Sequence, residues 1–306
     1  WLASVRAMRP IRRDDVLRRA MKSGQQGFTL VEAIMVIVIT GIVAGMVAVF
    51  IRQPVDAYID TARRAALADI ADTAVRRMAR DIGTALPNSL RTPAADNQCI
   101  EFIPTRTGGR YRAESDGTAG SEFLDFSVAD TTFNMFGPLS NVAAQQIAVG
   151  DLIAVYNLGI TSSNAYALDN TSAVAAAPAW NAATQETTIT IAPMRFPLAS
   201  ASNRFHVIPG GEQVIVYVCA GAGISAAGNG LGTLHRLVVA LPRAQTAACP
   251  VVPAGTPVLA TNVSACGFAY QPSPLQRSGL ASISLEIQQM GERVLLQHQV
   301  SVENTP

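Results

Sequence analysis

The sequence is poor in charge and in the residues that build catalytic or metal sites. Only 15% of its 306 residues are charged, and 23 basic side chains against 22 acidic ones leave a net charge of +1. A nucleic-acid-binding domain would show a basic patch or stripe, so nucleic acid is excluded as a partner. Histidine occurs three times, as His206, His235 and His298. Each sits in a strand-like segment with no carboxylate or cysteine at metal-ligand spacing, which reads as a half-buried strand residue rather than a zinc ligand. Ser-Xaa-Xaa-Lys and Gly-Xaa-Ser-Xaa-Gly are missing, and with them any nucleophile elbow. The glycines at 221, 223, 228, 230 and 232 invite a nucleotide reading, but they lack the Gly-Lys-Ser/Thr ending and the following helix of a phosphate loop. A hairpin loop is the simpler account. No enzyme activity, cofactor or metal is expected. The four cysteines, Cys99, Cys219, Cys249 and Cys266, form no CxxC pair. Their even number fits two disulfides in an oxidising compartment, with three pairings open.

Long apolar runs are also scarce: there is one. From Phe28 to Ile51, 24 residues carry a single charge, Glu32. As a helix the run spans roughly 36 Å, enough to cross a hydrocarbon core of about 30 Å with some tilt. A carboxylate there costs on the order of 2.5–3.5 kcal/mol on insertion scales, so Glu32 is a functional candidate rather than part of a plain anchor. Ahead of the run stand Arg6, Arg9, Arg12, Arg13, Arg18, Arg19 and Lys22 against Asp14 and Asp15. This positive flank keeps the amino end in the cytoplasm and sends the chain beyond Ile51 across the membrane. A secretory signal peptide would have a shorter apolar core and a small-residue cleavage site behind it.

Gly27-Phe28-Thr29-Leu30-Val31-Glu32, followed by Ala33-Ile34-Met35-Val36-Ile37, resembles the head of type IV prepilins. In that family a short basic leader ends in glycine, and a prepilin peptidase cuts before a phenylalanine that is then N-methylated. The resemblance implies a leader at 1–27, with 1–20 lying upstream of the natural start or forming an unusually long leader. It makes Gly27 and Phe28 the processing site and Glu32 the fifth mature residue. The new amine would be neutralised by Glu32 of a neighbouring subunit, an ion pair favoured by low dielectric. The competing account is that Glu32 snorkels to the cytoplasmic interface.

Residues 28–51 form the transmembrane half of the expected helix and 52–86 its amphipathic half, with Pro54 bending it near Ile51. Tyr58, Ala62, Ala66, Ile70, Ala74, Met78 and Ile82 recur every four residues, with Val55, Ile59, Leu67 and Val75 beside them. That stripe predicts packing on a sheet, and Asp60–Arg64 and Asp72–Arg76 predict ion pairs on its polar side. Gly83 and Pro87 close the helix. Residues 87–306 read as β: Cys99–Ile103, Glu122–Val128, Asp151–Asn157, Thr187–Ala192, Gln213–Cys219, Leu234–Leu241 and Val258–Val263 are short β-rich runs. Leu280–Gln289 and Arg293–Val302 alternate around Met290-Gly291-Glu292 as a hairpin. The fold class is α+β, a long N-terminal helix packed on a β-rich globular domain.

Within that domain, the segments Leu86–Arg91, Cys99–Pro104, Gly108–Arg112, Gly150–Gly159, Arg204–Val207, Cys266–Tyr270, Gln276–Leu280 and the end from Leu296 to Pro306 resemble minor pilins of the mannose-sensitive haemagglutinin (MSHA) pilus. The resemblance implies a structural subunit that acts in pilus assembly near the filament tip. Its partners would be the prepilin peptidase, other minor and major pilins, the assembly platform and the inner membrane itself. It would be a single-pass inner-membrane protein with a periplasmic domain before assembly, and part of the pilus at the cell surface afterwards. Two alternatives stand beside it: a J-type minor pseudopilin of a type II secretion system, and a tip adhesin recognising a surface glycan or protein. An aromatic groove around Trp180 or Phe133–Phe136 would favour the adhesin.

Overall fold

The computed structural model describes residues 27–272 and 278–306. Among the described residues a long α-helix, α1 (Leu30–Ile82), is followed by β1 (Cys99–Phe102), β2 (Thr107–Arg110), β3 (Asp130–Phe136), β4 (Leu152–Val155), β5 (Thr171–Ala173) and β6 (Ala179–Asn181). Then come β7 (Glu186–Met194), β8 (Arg204–Ile208), β9 (Val214–Ala220), β10 (Gly232–Val239), β11 (Val258–Gln271), β12 (Ser278–Gln289) and β13 (Glu292–Glu303). The fold class is therefore α+β, one long helix and then a β-rich domain. The chain divides into two compact units, one ending at Ile59 and one running from Asp60 to Pro306. In the first, α1 is helical without interruption through Pro54, and residues 27–51 are all exposed.

The second unit is layered. Its largest sheet is antiparallel with the order β1-β9-β10-β11-β12-β13. From β9 onward it is a simple meander, which short connections favour. One face is covered by the end of α1: Leu67, Ala71, Ala74, Val75, Met78 and Ile82 share a buried cluster with Ile100, Phe102, Tyr217, Phe268, Ile283 and Leu285. Burying each large side chain of this kind stabilises the fold by about 1.5–3 kcal/mol.

The buried face differs from the predicted stripe. Ala74, Met78 and Ile82 are on it, but Tyr58 is 75% exposed and Ile70 38%. At about 3.6 residues per turn, a strict four-residue repeat drifts around the helix, and the residues that stay in line follow mixed steps of three and four. Leu67, Ala71, Ala74, Val75 and Met78 have that spacing. The ion pairs shift too. Asp72–Arg76 forms at 2.6 Å, but Asp60 pairs with Arg63 and Arg64 reaches Glu292 on β13 at 2.7 Å. An exposed i,i+4 pair is worth only a few tenths of a kcal/mol, so a long arginine readily takes another partner.

Between β1 and β9 the chain inserts β2–β8, which make two further sheets, β2-β8-β4-β5 and β3-β7-β6. Their shared core holds Tyr111, Phe133, Ile153, Ile189, Phe196, Phe205 and Val207. The insertion also covers the second face of β9: Val214, Val216 and Val218 are buried with Leu86, Ile103, Ala154, Tyr166 and Ile208. A strand covered on both faces reads as a continuous apolar run, which explains Val214-Ile215-Val216-Tyr217-Val218. The β-like run Glu122–Val128 is not a strand. Asp125 accepts from the Ser127 N–H at 2.7 Å, and Asp130 accepts from the Asp125 N–H at 2.8 Å. Aspartate side chains bonded to nearby backbone in this way compete with a ladder.

Two disulfides fasten the domain. Cys99–Cys249 ties β1 to the segment after β10, and Cys219–Cys266 joins β9 to β11, the strands that flank β10. Residues 1–26 of the expected leader, and Gln276 and Arg277 of the resemblance, lie outside the described residues.

Candidate functional site

The candidate site is the start of α1. Gly27 and Phe28 precede the helix, and Phe28 is 81% exposed. The helix opens at Leu30, and the Thr29 hydroxyl accepts a hydrogen bond from the Glu32 backbone N–H at 3.3 Å. Thr29-Leu30-Val31-Glu32 thus has the spacing of a capping box, with one of its two reciprocal bonds formed. The Thr-Xaa-Xaa-Glu spacing is a signal in the sequence itself, hidden there beneath the prepilin match that uses the same residues. It gives Glu32 a local role as well, since a carboxylate in the first turn complements the helix dipole.

Behind Glu32 the helix is long and apolar enough to cross a membrane, and among the described residues none of its apolar stretch is buried. Leu30, Ile37 and Phe50 are more than two-thirds exposed. Apolar surface on this scale is unfavourable in water at roughly 25 cal/mol per Å². It demands either lipid or the helices of other subunits.

The remaining sequence candidates do not converge. His206 lies in β8, His235 in β10 and His298 in β13. Among the described residues no cluster of three or more His, Cys, Asp or Glu could hold a metal ion. Burial, reinforced by the charge of Arg204, holds the His206 imidazole down to about 4, so it stays neutral in the folded domain. The glycine-rich segment joins β9 to β10 as a hairpin loop, and it is anchored rather than free. Gly230 donates to the Gln288 carbonyl and Gly228 accepts from Gly291, while the Asn229 side chain accepts from the Met290 N–H at 2.7 Å. A Cβ on Gly230 would meet the Asn262 carbonyl oxygen at 2.0 Å. These glycines serve a close backbone contact, not a phosphate.

The aromatic groove is not formed either. Phe133 is fully buried. Trp180 pairs with Thr187 across β6–β7, while Phe136 pairs with Glu186 across β3–β7. Neighbouring residues of β7 point to opposite faces, so Trp180 and Phe136 do as well.

Residues 22–48 match the model of the prokaryotic N-terminal methylation motif. No curated protein matches the chain, and no solved structure does. Together with the long apolar helix and the β-rich domain, the motif supports a type IV prepilin-like protein. Proteins of that kind are structural subunits, processed by prepilin peptidase, anchored in a membrane and associated with other pilins.

Proposed function

We propose that the chain is a minor pilin, inserted in the inner membrane with its β-rich domain, residues 87–306, in the periplasm and then drawn into an MSHA-type type IV pilus. The observation that carries this reading is the methylation motif opening an uncovered apolar helix that continues into a β-rich domain. Prepilin peptidase cuts between Gly27 and Phe28, and Phe28 becomes the N-methylated first residue. Glu32 then pairs with the Phe28 amine of an adjacent subunit, and Pro54 lets the helix bend beyond the bilayer. The minor role is supported by the domain's size: the β2–β8 insertion adds two sheets to the helix-and-sheet core, bulk that suits a filament end better than a repeating shaft. The MSHA assignment itself rests on the resemblance of the segments around Leu86, Gly150 and Cys266 to the minor pilin MshO.

Coexpression with a prepilin peptidase, followed by mass spectrometry of the amino terminus, tests the processing step. A product beginning at methylated Phe28 is expected, and an intact leader or a cut beyond Ile51 would refute it. Deletion in a host carrying an MSHA-type pilus should lower the number of surface pili. The subunit itself should be recovered in sheared filaments at low copy.

A further inference from the structure

A cavity of about 680 Å³ in the β-rich domain is lined by Asn88, Ser89, Arg91, Asn164, Tyr166 and Arg243 among others. Its charge is unbalanced. Glu101 stands behind Arg91 and Arg243 and is shared between them: Oε1 takes the Arg91 Nε–H, and Oε2 takes the Arg243 Nε–H at 2.7 Å. The three side chains are only 17%, 6% and 15% exposed for Arg91, Glu101 and Arg243 respectively. Two guanidiniums on one carboxylate leave an excess positive charge in a largely desolvated place, which is costly unless a further anion is present.

The donors are unbalanced in the same sense. Each arginine spends its Nε on Glu101 instead of presenting a two-pronged fork, so the terminal nitrogens are left over. Arg91 commits one of them to the Arg243 carbonyl at 3.1 Å, and its guanidinium carbon stacks 3.4 Å from the centre of the Tyr166 ring. The Arg243 Nη2 is buried with no hydrogen-bond partner. A buried donor without a partner is uncommon enough in folded proteins to need a reason. The domain shows that such pairing is attainable: Arg236, at a second cavity, is held by both Asp81 and Glu212. Among the described residues no carboxylate lines the Arg91–Arg243 cavity.

We propose that this cavity is a binding site for a small carboxylate-bearing sugar. The arginine pair receives the carboxylate through charge-assisted hydrogen bonds. The Asn88 side-chain carbonyl and the Asn164 side-chain NH2 supply the polar surface that a hydroxylated ring requires, while the Ser89 hydroxyl is already bonded to the Ile103 backbone. The cavity's volume falls in the range of small-molecule sites. The site is independent of the filament reading, because every residue it uses lies within the β-rich domain.

Isothermal titration of the full chain in detergent micelles tests it, with galacturonate as the probe. Acetate, galactose and inorganic phosphate are the comparison ligands. Saturable binding of galacturonate, weaker binding of acetate and none of galactose are expected. Arg243→Gln removes the excess charge and should weaken galacturonate binding by about tenfold or more. Should that variant fail to fold, Arg243→Lys keeps the charge beside Glu101 but loses the remaining planar donors, and a weaker loss is expected. Equal binding of galactose, preference for phosphate, no saturable response to galacturonate, or unchanged affinity in the folded Arg243→Gln protein would each overturn the assignment.

Discussion

His206 carries the clearest acid sensitivity of any single residue in the domain. An unfolded histidine titrates near 6.5, whereas the folded side chain is held down to about 4. Between those values the unfolded chain binds a proton that the folded chain refuses. Stability therefore falls as pH is lowered through that window, and this group has no effect above it. The loss is on the order of 3 kcal/mol at most. Urea midpoints at neutral and mildly acidic pH should differ for the native chain and differ much less for His206→Phe. Gly230 is the corresponding backbone case. Gly230→Ala forces a methyl into the Asn262 carbonyl, so a loss of about 1–3 kcal/mol is expected in the same assay. The helix-start bond at Glu32 and the assembly role proposed for its charge can be separated by variants. Thr29→Ala removes the cap at a cost of about 1 kcal/mol of helix stability, whereas Glu32→Gln keeps the backbone donor and loses only the charge. If the charge serves assembly, the Gln variant is cleaved normally and enters sheared pili poorly. Normal incorporation would favour snorkelling.

The helix and the carboxy-terminal hairpin are legible in the sequence because each depends on local pattern. Twenty-four residues with one charge admit few alternatives to a membrane-length helix, and Ile283, Leu285 and Ile287 alternate into the core as a half-buried strand should. The insertion is less legible. β2 is Thr107-Gly-Gly-Arg, whose composition argues against a strand, and it exists because β8 lies beside it with Gly109 opposite Phe205. Partners so distant leave no local trace. The apolar spacing of α1 suggests a stripe of the wrong period, and mutation distinguishes the two versions. Met78→Ala should cost about 2–5 kcal/mol. Ile70→Ala, on the exposed line, should cost less than about 1 kcal/mol. The cysteine pairing cannot be read from spacing at all, since it depends on β1, β9 and β11 meeting in one sheet. Replacing either pair by alanine should cost about 2–5 kcal/mol, and thiol labelling of exported protein should find no free cysteine.

For the whole molecule, the division at Ile59 makes a further prediction. Residues 60–306 hold all three buried clusters. Expressed alone into an oxidising compartment, they should be soluble and cooperatively folded by circular dichroism and size-exclusion chromatography. Aggregation there would mean that the amino-terminal unit contributes to folding.

The two-sided burial of β9 also has a consequence in time. β1 and β9 are hydrogen-bonded neighbours, with Cys99 opposite Val218, yet the whole β2–β8 insertion separates them along the chain. Contacts so remote in sequence form late, because loop closure must be overcome before they stabilise anything. The hairpin of β12 and β13 is under no such constraint. Both covering layers, the end of α1 and the β2–β8 insertion, lie ahead of Val214–Val218 in the chain, so they are already made when that strand appears. A slow insertion, not a missing one, is what would leave this apolar strand bare on one face, and there a folding helper would have to shield it.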